Sequence, residues 1–188
     1  MKIIKSIDCN SDTPTAVALG TFDGVHLGHR AVIRTAVEIA SAEGLTPAVF
    51  TFSELPKNAF LPNKMRVWPL CTFSEKAKLI ETLGAELLIA PAFDREISSM
   101  PPEDFVKEIL ISRLDARHIV CGFDHRFGAG GKGDTELLIS ICKSESVAVT
   151  IIPPVMRRGR RISSTEIRRL IEKGYIEDAR ELLGHELL

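Results

Sequence analysis

Two histidines, His26 and His29, stand three apart within Ala18-Leu-Gly-Thr-Phe-Asp-Gly-Val-His-Leu-Gly-His-Arg30. On the first turn of a helix that spacing puts both imidazoles on one face. Gly20, Gly24 and Gly28 surround them, and a missing side chain lets a ligand approach the backbone closely. Upstream, Ala16–Leu19 is a short apolar run that reads as the end of a buried strand. Downstream, Val32, Ile33, Ala36, Val37, Ile39 and Ala40 recur at helical spacing. A helix start carries free N–H groups and the positive end of a dipole, so it favours anions. Strand, glycine turn, imidazole pair and helix together point to a phosphate site. Two solvated histidines on a glycine-rich turn are the plain alternative, and the Phe22-Asp-Gly24 context weighs against it. A zinc site would need a third ligand nearby, and His26-Leu-Gly-His29 has none.

Two further stretches carry chemistry. In Arg160-Arg-Ile-Ser-Ser-Thr-Glu-Ile-Arg-Arg169, Ser163 or Ser164 can cap a helix, with Thr165 and Glu166 in its first turn. Capping alone would explain the serine pair. Hydroxyls and N–H groups at a helix start, with Arg168 one turn on, also make a triphosphate cradle. The other stretch is Gly122-Phe-Asp-His-Arg-Phe-Gly-Ala-Gly-Gly-Lys-Gly-Asp134. There the Asp124 carboxylate can hydrogen-bond the edge of a heterocycle. Phe127 can pack on a ring or fill the core, and for a lone Phe the core is favoured. Arg157-Arg-Gly-Arg-Arg161 reads as a solvated loop, with a cap over anionic substrates as its functional alternative.

The elements that must position these residues alternate. Strands are expected at Ala16–Leu19, Pro47–Phe52, Ala85–Ala90, His118–Cys121 and Val147–Ile152. Helices are expected over roughly His29–Ala42, from Ser74 to Leu83, over Glu103–Leu114, Thr135–Ser144 and Ser164–Lys173, and over Ile176–Leu183. Ser53–Pro69, with Pro56, Pro62 and Pro69, reads as a long loop of functional interest. Such alternation implies an α/β domain of Rossmann-like type, its mostly parallel sheet covered by helices on both faces. Ligands of such sheets bind beyond the carboxyl ends of the strands. That rim holds the loops after Leu19, Phe52, Cys121 and Ile152, and with them the suggestive residues.

Composition narrows the class. A length of 188 residues fits one domain with a proper core, and a net charge of −1 argues against nucleic acid or a membrane surface as partner. No apolar run approaches a spanning length and the N-terminus lacks a signal-peptide core, so the cytoplasm is expected. Cys9, Cys71, Cys121 and Cys142 are scattered, which favours reduced, mostly buried thiols over a disulfide frame or a metal site.

His26-Leu-Gly-His29 matches the HxGH signature of the nucleotidyltransferases, and Gly20-Thr-Phe-Asp-Gly-Val-His resembles their FMN adenylyltransferase (FAD synthetase) branch. The 122–134 stretch resembles that branch's GxDxRFGxxxxGD segment, with His125 in place of the usual aromatic. Ile162-Ser-Ser-Thr-Glu-Ile-Arg168 resembles the superfamily's ISSTxIR signature. The resemblance spans roughly residues 15–185. It implies transfer of AMP from ATP to FMN, giving FAD and pyrophosphate, with Mg²⁺ bridging the phosphates. It implies charge stabilisation by His26 and His29 and a leaving-group contact by Arg168. ATP contacts are implied at Gly20, Phe22, Gly24, Gly28, Ser163, Ser164 and Thr165. Flavin contacts are implied at Asp124, Arg126, Phe127, Phe52 and Pro56. Relatives usually carry TFxPHP after the second strand, where this chain has Thr51-Phe-Ser-Glu-Leu-Pro56. The common bacterial enzyme adds a riboflavin kinase domain, which is not expected in these 188 residues and would be a separate domain or partner. A related nucleotidyltransferase with another acceptor and a non-catalytic nucleotide-binding module are the alternatives.

Overall fold

Alternating side chains along each central strand go to opposite faces of one sheet. Val17 and Leu19, Ala48 and Phe50, Leu87 and Ile89, and Ile119 and Cys121 all join one apolar cluster. Their neighbours Ala18, Val49, Leu88 and Val120 join a second. Period-two burial on both sides demands a cover for each face. The computed structural model, which describes residues 1–186, supplies it.

Six strands form the sheet: β1 (Lys2–Ile4), β2 (Thr15–Leu19), β3 (Thr46–Phe50), β4 (Leu87–Ile89), β5 (Ala116–Gly122) and β6 (Ala148–Ile152). Their spatial order is β1-β4-β3-β2-β5-β6, and every neighbouring pair is parallel. Helices α1 (Leu27–Glu43) and α2 (Phe73–Thr82) cover one face through Val32, Ile33, Ala36, Ala77 and Ile80. The other face is covered by α4 (Pro102–Asp104), which runs on as a wide π-type helix over Phe105–Arg113, and by α5 (Thr135–Ser144). Short α3 (Arg95–Ser99) precedes α4. Beyond β6, the ribbon β7 (Met156–Arg157) and β8 (Arg160–Arg161) leads into α6 (Ser164–Glu172) and α7 (Ile176–Leu183). These two helices build a third apolar cluster, with Leu27 and Leu70 packed against it.

Several expected boundaries move. Helix α1 begins at Leu27, because His26 rather than a later residue is its N-cap. Helix α2 begins at Phe73: Thr72 and Glu75 form a reciprocal capping box, so the helix opens before Ser74. β1, α3 and the β7–β8 ribbon escape the sequence reading because each is too short to show a period. All four cysteines are free, and Cys121 and Cys142 are buried. Cys9 and Cys71 are only partly buried. Among the described residues no helix is long and apolar enough to cross a membrane.

The sheet order fixes where a ligand can lie. From β2 the chain builds outward through β3 and β4, then returns to place β5 on the opposite side of β2. Such a reversal opens a crevice at the strands' carboxyl ends. The loop after β2 and the loop after β5 form its two lips.

Candidate active site

A cavity of about 600 Å³ occupies that crevice. Its wall includes Gly20, Phe22, Asp23, His26, Gly28 and His29 from the β2–α1 passage, and Ser163, Ser164, Thr165 and Arg168 from the start of α6. Phe52 and Pro56 line it from the loop after β3, and Asp124, Arg126 and Phe127 from the loop after β5. Residues drawn from three separated motifs therefore share one chamber. Gly24 is the exception. It does not line the cavity; its φ of +79° makes the turn, its N–H donates to Cys71 Sγ, and its Cα faces Leu70. That positive φ and the close packing of Leu70 are what call for glycine at this position.

The histidines are held by the backbone that precedes them. Phe22 and Val25 are fully buried at φ values of +47° and +40°, a conformation that a β-branched residue adopts only under strain. Phe22 packs its ring over Gly20, where a Cβ would lie 2.7 Å from Cε1. His26 then caps α1, its Nδ1 accepting the His29 backbone N–H at 3.2 Å. The two imidazoles stack, centroids 3.5 Å apart and planes at 15°, and Phe22 meets His29 edge-on at 5.3 Å. Burial pushes His26 down to about 4, and burial, His26 and Lys76 together push His29 well below the ordinary histidine range. Both rings are therefore neutral at pH 7 in the free protein. The bond accepted at His26 Nδ1 leaves its proton on Nε2. Among the described residues, no partner meets the buried His29 Nδ1.

Helix α6 is capped by Ser163, whose Oγ accepts the Glu166 N–H at 3.2 Å and keeps its own O–H to donate. Ser164 differs: its hydroxyl already donates to the Asp23 carbonyl at 3.0 Å. Thr165 is exposed on the cavity wall. The first-turn N–H groups of α6 have no partners within the helix, as at any helix start. Arg168 is not the free cation that the sequence suggests. It is buried, forms an ion pair with buried Asp23, and donates from Nε to the Trp68 carbonyl at 2.9 Å. Its five N–H donors exceed those two bonds, so the guanidinium can serve Asp23 and the cavity together.

On the other lip, Asp124 pairs with Arg161 of β8 at 2.9 Å, and that guanidinium also lies 5.0 Å from the Phe123 ring centroid. Arg126 faces Asp134 at 3.5 Å. Phe127 is buried at the core edge, bridges to Gly133 and still touches the cavity. In the loop after β3, Glu54 is exposed and Leu55 buried on the wall. The arginine cluster is an exposed ribbon whose Arg157 and Arg158 pair with Glu181 of α7. Missed in the sequence were Asp23 and Lys76, both buried charges whose partners lie far along the chain. The one available signal for Asp23 was its place inside the β2–α1 motif.

Among the described residues, no three His, Cys, Asp or Glu side chains gather as a metal site. The cavity's two wall carboxylates, Asp23 and Asp124, are each engaged by an arginine.

The family model described as FAD synthetase matches residues 8–166. A bifunctional riboflavin kinase/FMN adenylyltransferase of Listeria monocytogenes is 37% identical over 93% of this chain and 55% of its own length. A FAD synthetase of the same organism is 35% identical over 94% of this chain and 71% of its own. This chain thus spans about half the length of the bifunctional relatives it matches. Among solved structures, one described as a macrolide-efflux protein from Streptococcus pneumoniae superposes with a TM-score of 0.88 at 32% identity. That likeness covers 99% of this chain and 60% of the other. A pantoate-β-alanine ligase from Francisella tularensis shares the fold, with a TM-score of 0.57 at 15% identity over 92% of this chain and 78% of its own. With the three motifs around one cavity and the family model matching most of its length, the chain belongs to the FAD synthetase family.

Proposed function

We propose that this protein transfers AMP from ATP to FMN, releasing pyrophosphate and forming FAD. The observation that carries the reading is the convergence of the histidine pair, the α6 start and the 122–128 loop on one cavity of about 600 Å³. ATP would lie across the two helix starts, with its phosphates between the imidazoles and Ser163, Thr165 and Arg168. An oxygen of the FMN phosphate attacks the α-phosphorus in line. The new P–O bond forms as the bond to the bridging oxygen breaks, and that electron pair leaves on pyrophosphate. Such transfer depends on positioning and on neutralising charge, with no covalent enzyme intermediate.

Neutral imidazoles serve this role as N–H donors aimed at charge that grows in the transition state. Arg168 contacts the leaving pyrophosphate with the donors that Asp23 and Trp68 leave free. The flavin would lie toward Phe52, Pro56, Arg126, Phe127 and Asp124, the last exchanging Arg161 for the ligand. A magnesium ion held by the phosphates would supply further charge neutralisation there. The cytoplasm is the compartment in which we place the reaction, in keeping with four free cysteines. Riboflavin phosphorylation, part of the bifunctional relatives' name, is not assigned to these residues.

The test is purified protein with Mg²⁺-ATP and FMN, following FAD by chromatography and pyrophosphate together. Equal amounts of both, abolished in His29→Ala, support the reading. ATP binding without FAD would transfer it to another acceptor and direct attention to Glu54-Leu55. A folded protein that neither binds ATP nor turns over would overturn the mechanism.

A further inference from the structure

Lys76 breaks two rules at once. It sits in the first turns of α2, where a cation opposes the helix dipole, and it is only 5% exposed. Its Nζ donates to the Phe52 carbonyl at 2.7 Å, the Thr21 carbonyl at 3.2 Å and the Thr51 hydroxyl at 3.4 Å. The Thr51 hydroxyl in turn donates to the same Thr21 carbonyl at 2.9 Å. All three acceptors are neutral oxygens. A buried ammonium without a carboxylate partner is costly, and a fold retains one where something else compensates it.

The groups around it compensate it only in part. Asp23 and Cys71 favour its charge through space, and the Phe73 ring centroid lies 6.0 Å from Nζ, but among the described residues no carboxylate pairs with it. Asp23 is committed to Arg168. Cys71, which also lines the smaller cavity beside Lys76, is a thiol pushed up by burial. Glu75 on the same helix is turned to the capping box with Thr72. His29 is neutral, and Lys76 is one of the causes that keep it so. Thr21 and Phe52 both line the main cavity, so Lys76 stands one carbonyl layer behind its wall.

We propose that Lys76 is a positioning residue of the triphosphate site: it ties the loops after β2 and β3 into one wall and sets an unpaired positive charge behind the histidine pair, for which the bound phosphates are the counter-charge. This rests on reading the cavity as the ATP site. Burial lowers Lys76 to about 8, so it is mostly protonated at pH 7 and loses its charge within reach of experiment.

The test is ATP affinity by calorimetry at pH 7, 8 and 9, where completing the nucleotide's last ionisation adds negative charge and would strengthen binding, opposite to the change expected from Lys76. Wild-type affinity should fall several-fold toward pH 9. Lys76→Met should bind about tenfold more weakly at pH 7 and show no further fall. Lys76→Arg keeps the charge, so it should hold near wild-type affinity and stay flat to pH 9. Cys71→Ser should retain the wild-type fall, which separates the thiol from the amine. A merely structural lysine would leave the pH profile of folded variants unchanged. Should Lys76→Met fail to fold, wild type and Lys76→Arg decide: a flat wild-type profile overturns the proposal, as does an unchanged fall in Lys76→Arg. Wild type that shows the fall yet makes no FAD overturns the FMN reading and supports Lys76. No ATP binding at any pH overturns both.

Discussion

The imidazole of His26 lies flat on that of His29, with centroids 3.5 Å apart, while its Nδ1 accepts the His29 backbone N–H at 3.2 Å. One side chain thus ends the β2–α1 turn, caps the helix and aligns its partner. The two rings cannot both carry charge at that distance, and burial keeps both neutral. Structure and chemistry are joined in this pair, and they can be taken apart by substitution.

His26→Asn keeps an N-cap acceptor, whereas His26→Ala removes it. The Ala variant should therefore lose about 1 kcal/mol of stability that the Asn variant largely retains. Both should lose about 10²–10³ in kcat, since each deletes a donor to developing charge. His29→Ala should lose as much turnover, with no cap to lose. Urea melts beside FAD assays check the separation. An Asn variant as active as wild type would remove His26 from the chemistry.

The same burial predicts an acid-sensitive fold. An unfolded histidine titrates near 6.5, while His26 and His125 are held at about 4 and His29 well below its ordinary range, each chiefly by burial. Below pH 6.5 the unfolded chain binds protons that the folded chain refuses. The stability these groups contribute is present above pH 6.5 and is lost as pH falls through about 4. Melting temperature should drop across that window and flatten below it. His26→Asn should reduce the drop. Bound ATP should restore part of it, because an anion beside the rings favours their protonation, and calorimetry in two buffers should register proton uptake.

Much of this was legible in the sequence, for a physical reason. Motifs such as His26-Leu-Gly-His29 and Ser163–Arg168 combine a local structural need with a chemical one, so the residues speak for both. The alternation of central strands and helices is likewise local. Illegible were partnerships across the fold. Arg168 reads as a free phosphate ligand until Asp23, 145 positions away, is found against it. Lys76 carries no signal of its own at the start of a helix, and only the fold brings the Thr21 and Phe52 carbonyls to its ammonium. Gly24 is implied as an ATP contact by resemblance, and only the fold shows its turn φ, its packing against Leu70 and its place off the cavity wall. The rim placement of the loops after β2, β3, β5 and β6 was derivable without the sheet order; the crevice between β2 and β5 was not.

The Asp23–Arg168 pair yields the largest expected stability change. Asp23→Ala would leave the buried guanidinium without its partner and the Leu70 N–H without its acceptor, which Asp23 Oδ1 now supplies at 2.9 Å. Breaking such a pair from one side costs about 3–5 kcal/mol. Removing Arg168 as well should recover part of that loss, because no uncompensated charge remains, but should recover no turnover. A double-mutant cycle by denaturant melts measures the coupling. A cycle that closes with no interaction energy would mean that the pair is not what binds α6 to the β2–α1 loop.

Gly28 separates chemistry from stability most cleanly. Its φ lies outside the positive range, so alanine is tolerated by the backbone, and it sits inside α1, where Ala favours the helix by about 0.5–1 kcal/mol over Gly. A Cβ there would stand 3.2 Å from both Cε1 and Nδ1 of His26, close enough to push the ring by a few tenths of an ångström. Gly28→Ala should therefore fold at least as stably as wild type while turnover falls about tenfold or more, the penalty for displacing a positioned donor. Gly24→Ala should behave in the opposite way. Its φ of +79° and a Cβ 2.9 Å from Leu70 demand strain, so it should lose about 1–3 kcal/mol of stability. Since Gly24 lies off the cavity wall, the folded fraction of that variant should keep most of its activity. Equal turnover in Gly28→Ala and wild type would show that the stacked geometry of the histidines, however well ordered, is not what sets the rate.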